Sequence, residues 1–289
     1  MPLETLLRNS QKEWRTGWRI LAMLALLAAV VLGVNWGWRA LGLPGRAEAG
    51  PWLFLLFVAL ISGATFGVIL LLLRFFEKRG PAAIGMPFVA KAWQETAAGA
   101  LAGAVAICLT MGAAVIAGYG TLQPGRVTAD ALLPIVLPSL ISAFCLAAWE
   151  ELTLRGYLLR QLSIGINPGI AVVITAVLFG LLHSGNPGAN WQGLLYTVIG
   201  GLLMGWIVVR CGSLWLVIGY HFGWNATAST VFGLVLSGLD SANSILVGEL
   251  RGPDWLTGGD YGFEASLPTE ICEVLVLSVV LRLFHSRRK

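Results

Sequence analysis

The stretch Trp149-Glu150-Glu151-Leu152-Thr153-Leu154-Arg155-Gly156 sets two adjacent carboxylates and a guanidinium inside a run that is otherwise apolar from Leu132 to Leu162. Ionisable groups in a hydrocarbon-embedded helix cost roughly 2.5–3.5 kcal/mol each, so they face protein or water and mark functional positions. At about 100° per residue, Glu151 and Arg155 stack one turn apart as an i,i+4 ion pair, while Glu150 is rotated away without that partner. Two of the three histidines, His183 and His221, also interrupt apolar stretches. Each sits in an i,i+4 pairing, Phe179 with His183 and His221 with Asn225. A carboxylate, two imidazoles and a carboxamide gathered in one pocket suit hydrolysis. Glu150 is then the candidate general base for water, with His183 sharing that water. His221 and Asn225 are candidates to donate hydrogen bonds to a developing oxyanion. Glu150, His183 and His221 also match the ligand number of a catalytic zinc site with an open fourth position, drawn from three helices because no HExxH helix is present. Residue types alone admit both chemistries. Ser184 adjoins His183 in sequence but is expected to face elsewhere, so no nucleophilic triad is read.

Such a layer needs helices that bring residues 150, 183, 221 and 225 to one depth. Of the 289 residues, 57% are apolar and only 12% charged, well below the quarter charged that a soluble domain carries. Apolar segments of about 20 residues, enough to cross roughly 30 Å of hydrocarbon, recur along the chain. The expected fold class is all-α, a polytopic membrane protein of about eight transmembrane helices around a buried polar active site. The spans read as 20–41, 52–76, 93–119, 131–162, 167–183, 191–209, 214–236 and 268–284. Gly80-Pro81 breaks the chain after the second span, and Pro134 and Pro138 kink the start of the fourth. Asn167-Pro168-Gly169 opens the fifth with proline in its first turn. Gly99 with Gly103, and Gly200-Gly201 with Gly205, offer small-residue faces for close helix contact. Glu95 lies near the start of its span, where the helix dipole favours a carboxylate. The fourth and fifth spans form a hairpin turning near residue 165, which raises Glu150 and His183 about 22 and 27 Å from the turn. Asn225 stands about 18 Å from the start of the seventh span on the same side, with His221 one turn lower. The polar groups arrive at similar heights.

Two regions are expected. Residues 1–79 hold an interfacial helix over 1–19 and two spans, and residues 80–289 hold the core with about six. The run 20–41 is longer than a signal-peptide core. Trp36, Trp38 and Arg39, ahead of the cleavage-like Ala47-Glu48-Ala49, read as an interfacial anchor, so the first span is retained. With a cytoplasmic N-terminus, 15 of the 19 lysines and arginines fall on the cytoplasmic side and 4 on the other. The expectation is a multi-pass cell-membrane protein with both termini cytoplasmic. The net charge of +4 comes with no basic stretch interleaved with aromatics, so the bilayer and not nucleic acid is the expected partner. Cys108, Cys145, Cys211 and Cys272 show no CxxC spacing and read as small buried hydrophobes.

In this order on successive apolar helices, Glu150-Glu151-xxx-Arg155-Gly156, Phe179-xxx-His183 and His221-xxx-Asn225 resemble the motifs of the CPBP family. These are the CAAX-protease and bacteriocin-processing (Abi) intramembrane endopeptidases, related to the Rce1-type prenyl-protein protease. The resemblance covers about residues 80–285. It implies that Glu150 and His183 activate water and that His221 with Asn225 stabilises the oxyanion. Glu151, Arg155 and Phe179 are implied in support. The substrate implied is a membrane-associated or lipidated protein or peptide. The family is commonly classed as metalloendopeptidase, while a metal-free glutamate mechanism has been argued for the Rce1 branch, so zinc or no cofactor is implied. Leu154 stands where an aromatic is frequent in the family. Residues 258–264 resemble a loop common in bacterial members, expected here as a surface turn or lid. Two other classes use similar features: a non-catalytic membrane immunity or binding scaffold, and a proton-coupled transporter. The transporter would bring an internal repeat, and none is visible between the halves.

Overall fold

The computed structural model describes residues 14–45, 48–125, 127–240 and 244–286. The interfacial helix expected over 1–19 lies mostly outside the described residues. The helices that carry the fold are α1 (Thr16–Ala40), α2 (Pro51–Glu77), α3 (Ala90–Ile116), α4 (Leu133–Gly165), α5 (Pro168–Leu182), α6 (Trp191–Cys211), α7 (Leu214–Asn225) and α8 (Leu267–Ser286). The all-α polytopic class stands. Five of them, α1, α2, α3, α4 and α6, are long and apolar enough to cross a membrane. The expected count of eight spans is thus met by five on length and composition. Helix α5 has 15 residues, about 22 Å of rise against roughly 30 Å of hydrocarbon. Helix α7 has 12 before the chain turns π-helical over Ala226–Val231. Helix α8 carries Glu270, Glu273 and Arg282.

Local chemistry sets the helix ends. Asn167 accepts from the Ile170 amide and caps α5, with Pro168 in the first turn as expected. Asn190 caps α6 through the Gly193 amide, and Gly212, at φ +56°, closes that helix in the left-handed region. The start of α4 is π-helical over Leu132–Val136, the distortion anticipated from Pro134 and Pro138. One element was not anticipated. Strands β1 (Gly120–Pro124) and β2 (Leu246–Leu250) pair antiparallel, Gly120 opposite Leu250, in segments read from sequence as loops.

At one end of the bundle, charge holds the helices together. Glu77, buried at the end of α2, accepts from Arg160 Nε and Nη2 at 3.2 and 3.0 Å and from Gln161 Nε2. Arg19 of α1 approaches the same carboxylate at 3.7 Å. Nearby, Glu95 accepts from Ser213 Oγ at 2.6 Å and pairs with Lys91 Nζ at 3.2 Å. Ser213 is the N-cap of α7. Glu95 therefore lies beyond the first turn of α3 and serves a cap on another helix, in place of the helix-dipole role expected for it.

Helices α3 and α7 meet backbone to backbone. A Cβ added at Gly99 or Gly103 would collide with the carbonyls of Leu216 or Tyr220. One added at Gly219 or Gly223 would collide with those of Thr96 or Ala100. The contact is reciprocal, with the glycines four apart on both helices, and fixes α7 in depth and rotation. Alanine normally gains up to about 1 kcal/mol over glycine in a helix, whereas forcing atoms into a filled contact costs about 1–3 kcal/mol or more. The clash is with backbone that cannot swing away, so the cost wins. Gly223→Ala is expected to lower the thermal unfolding midpoint in detergent, while Gly63→Ala on α2, where nothing lies within 4 Å, is neutral or stabilising.

Candidate active site

Glu150 and Glu151 end the regular part of α4, and Leu152–Leu158 continues it as a π-helix. The expected ion pair is present: Arg155 Nη1 donates to Glu151 Oε1 at 2.9 Å, both side chains being fully buried. The same oxygen lies 3.0 Å from His221 Nδ1 on α7. A carboxylate accepts, so the hydrogen-bond network assigns the proton to Nδ1. His221 Nε2 then points the other way, 3.8 Å from Glu150 Oε2. Glu150 is 25% exposed, and its Oε2 makes no hydrogen bond within the protein. The adjacent carboxylates divide as expected into one engaged and one available.

Phe179 of α5 packs against three of these groups. Its ring lies 3.9 Å below the Arg155 Cζ in a cation–π contact. It meets the His183 ring edge-on at 4.7 Å and that of His221 at 6.1 Å. Its carbonyl oxygen lies 2.8 Å from His183 Nδ1. A carbonyl can only accept, so Nδ1 carries a proton and Nε2 is the nitrogen left to face the cavity. His183 sits at the C-cap of α5, one residue past its last turn. Ser184 Oγ is exposed and bonded to the Leu181 carbonyl, away from His183 as expected.

Glu150, His183, His221 and Asn225 all line one cavity of about 440 Å³, contributed by α4, α5 and α7. Its walls are otherwise largely apolar and aromatic, with Leu146, Trp149, Phe179 and Met204 among them. That volume is within the range of about 300–1,000 Å³ usual for ligand sites. Two further acids line it that the sequence reading missed. Glu264, in the turn Phe263–Ala265, accepts from Trp224 Nε1 at 2.9 Å and from Ser237 Oγ at 2.6 Å. Glu273 of α8 reaches the cavity over Gly200, where an added Cβ would lie 2.6 Å from its Oε1. The signal for Glu273 was available, since it too is a carboxylate in an apolar helix. That for Glu264 was not, because residues 258–264 read as a surface turn or lid. Tyr261 and Phe263 are buried, and Glu264 lines the cavity.

Among the described residues, no group of three His, Cys, Asp or Glu side chains lies close enough to hold a metal ion. Each imidazole Nδ1 faces a protein oxygen, which leaves Nε2 as the nitrogen that either ring offers to the cavity.

Residues 130–227 match the family model described as Type II CAAX prenyl endopeptidase Rce1-like. That stretch is Rce1-like. It holds all four cavity residues named from the sequence, and it is shorter than the 80–285 over which the resemblance was drawn. The chain is also 35% identical over 77 residues to an uncharacterized protein, YyaK, of Bacillus subtilis (strain 168), covering 25% of this chain and 25% of that protein. The chain thus matches about a quarter of that relative's length. The matched stretch lies in a chain with five helices long and apolar enough to cross a membrane, as a multi-pass membrane protein has.

The two neighbouring glutamates are expected to separate cleanly on mutation. Removing one partner of a buried pair leaves the other charge uncompensated, so Glu151→Ala should cost about 3–5 kcal/mol. Glu150→Gln, at a partly exposed carboxylate with no hydrogen bond to lose, should stay within about 0.5 kcal/mol. Thermal unfolding of both variants in one detergent decides it.

Proposed function

We propose that the protein is an intramembrane endopeptidase that hydrolyses a peptide bond in a membrane-associated or lipidated protein. The observation that carries this reading is the convergence of Glu150, His183, His221 and Asn225 on one cavity with apolar walls. The Glu150 carboxylate, partly exposed to the cavity, takes a proton from water as the water oxygen attacks the scissile carbonyl carbon. His183, anchored through Nδ1 to the Phe179 carbonyl, offers Nε2 to orient that water. The oxygen that gains charge is met by the Asn225 amide and by Nε2–H of a doubly protonated His221, whose Nδ1–H donates to Glu151. When the C–N bond breaks, the proton on Glu150 passes to the leaving amine, and the carboxylate is restored.

The binding-scaffold and transporter readings predict no bond cleavage. Purified protein in proteoliposomes, offered a library of membrane-anchored peptides, is expected to cut at least one of them. General acid–base groups contribute about 10²–10⁴-fold, so Glu150→Ala and His183→Ala should each lower the rate by that order. Partner binding unchanged by both substitutions, with no cleavage, would favour the scaffold. Cleavage lost to a chelator and restored by added zinc would assign water activation to a metal ion instead of Glu150 acting directly.

A further inference from the structure

The charges and the cavity occupy opposite ends of the helix bundle. Arg15 and Arg19 lie at the start of α1, Arg74, Lys78 and Arg79 at the end of α2, and Lys91 at the start of α3. Arg160, Arg210 and Arg282 lie near the ends of α4, α6 and α8. Contacts show that these are one end: Glu77 gathers Arg19 and Arg160, and the Leu214 amide donates to the Gly85 carbonyl at 2.7 Å. Apart from Arg155, the described lysines and arginines therefore divide nine to two, with only Arg39 and Arg251 at the far end. Basic residues flanking the spans set orientation, and the richer side is cytoplasmic.

The cavity belongs to the poorer side. Glu150 stands 15 residues before the end of α4, on the side of that helix away from the contact of Arg160 with Glu77. His183 ends α5 at that far side, and the cavity is rimmed by Asn186, by Ser237 and by Glu264. These rim segments are packed on each other: the Gly238 amide donates to the Tyr261 carbonyl at 2.7 Å, and a Cβ at Gly238 would collide with the Pro187 carbonyl. Trp36, Trp52 and Trp191, at the same end, are 76%, 54% and 70% exposed, as interfacial tryptophans are.

We infer that the cavity opens toward the non-cytoplasmic face of the membrane. On the proteolytic reading above, its substrate is a membrane-anchored chain whose scissile segment lies on that face. A lipidated terminus confined to the cytoplasm does not reach it.

The test is topological and does not depend on activity. In the full chain with its four cysteines replaced by alanine, single cysteines are introduced as Gly185→Cys on the cavity rim and Gly80→Cys after α2. Both positions are exposed and have nothing within 4 Å of an added Cβ. With a membrane-impermeant maleimide, Gly185→Cys is expected to label in intact cells and Gly80→Cys only after permeabilisation. Labelling of Gly185→Cys only after permeabilisation, or not at all, overturns the inference. Should the cysteine-free chain fail to accumulate in membranes, the native chain co-expressed with anchored reporters cut on either face gives the second measurement. Cleavage of the cytoplasmic reporter alone overturns the inference. External labelling of Gly185→Cys with no cleavage of any reporter leaves the orientation standing and removes the protease reading.

Discussion

A single carboxylate oxygen organises the centre of this protein. Glu151 Oε1 receives Arg155 at 2.9 Å and faces His221 Nδ1 at 3.0 Å, with no solvent exposure at either carboxylate or guanidinium. Stability does not explain such a pair. Desolvating two ions largely cancels their attraction, and an apolar replacement of equal volume often does as well or better by about 1–4 kcal/mol. What the pair supplies is direction. On one side Glu151 fixes the His221 ring so that Nε2 faces Glu150. On the other it holds Arg155 against Phe179, whose carbonyl fixes His183. Two imidazoles on different helices are thus oriented from one buried anion.

Glycine works in two opposite ways around that centre. Between α3 and α7 it removes space, so that main chains touch and α7 cannot roll. On α6 it creates space. A Cβ at Gly201 would come within 3.0 Å of Arg155 Nη2, and one at Gly200 within 2.6 Å of Glu273 Oε1. The Gly200-Gly201 pair, read from sequence as a packing face, therefore accommodates a guanidinium and a carboxylate. Closely packed helices on one flank and hollowed ones on the other leave an open cavity inside an otherwise filled bundle.

The residues at the centre were legible because hydrocarbon makes polar groups conspicuous. Glu150, Glu151, Arg155, His183, His221 and Asn225 stand out against leucine and alanine, and helical rise alone brought them to a common depth. The ion pair of Glu151 with Arg155 could be read from spacing, being local. Its link to His221 could not, since that depends on how α7 is rotated against α4. The same holds for Glu95 with Ser213 and for Glu77 with Arg160, whose partners lie 118 and 83 residues away. The ribbon of β1 and β2 was invisible for a related reason. Five-residue strands holding glycine, proline and charged residues carry no alternation of their own and exist by pairing with each other. Length and composition single out five of the eight expected spans: α5 and α7 are short as regular helices, and α8 carries three charged residues.

The π-helical passage through Leu152–Leu158 has a consequence for how this chain can vary. A π turn is an α-helix holding one residue more than its pitch allows, and it is retained mostly at working sites. Thr153 Oγ1, bonded to the Trp149 carbonyl at 2.8 Å, occupies an acceptor there. Substituting the apolar residues of this passage changes packing, but deleting one of them would restore regular pitch and turn everything beyond it by about 100°. Arg160 and Gln161 would then face away from Glu77 while Glu151 kept its place. Homologous chains can therefore exchange side chains in this passage more readily than they can change its length.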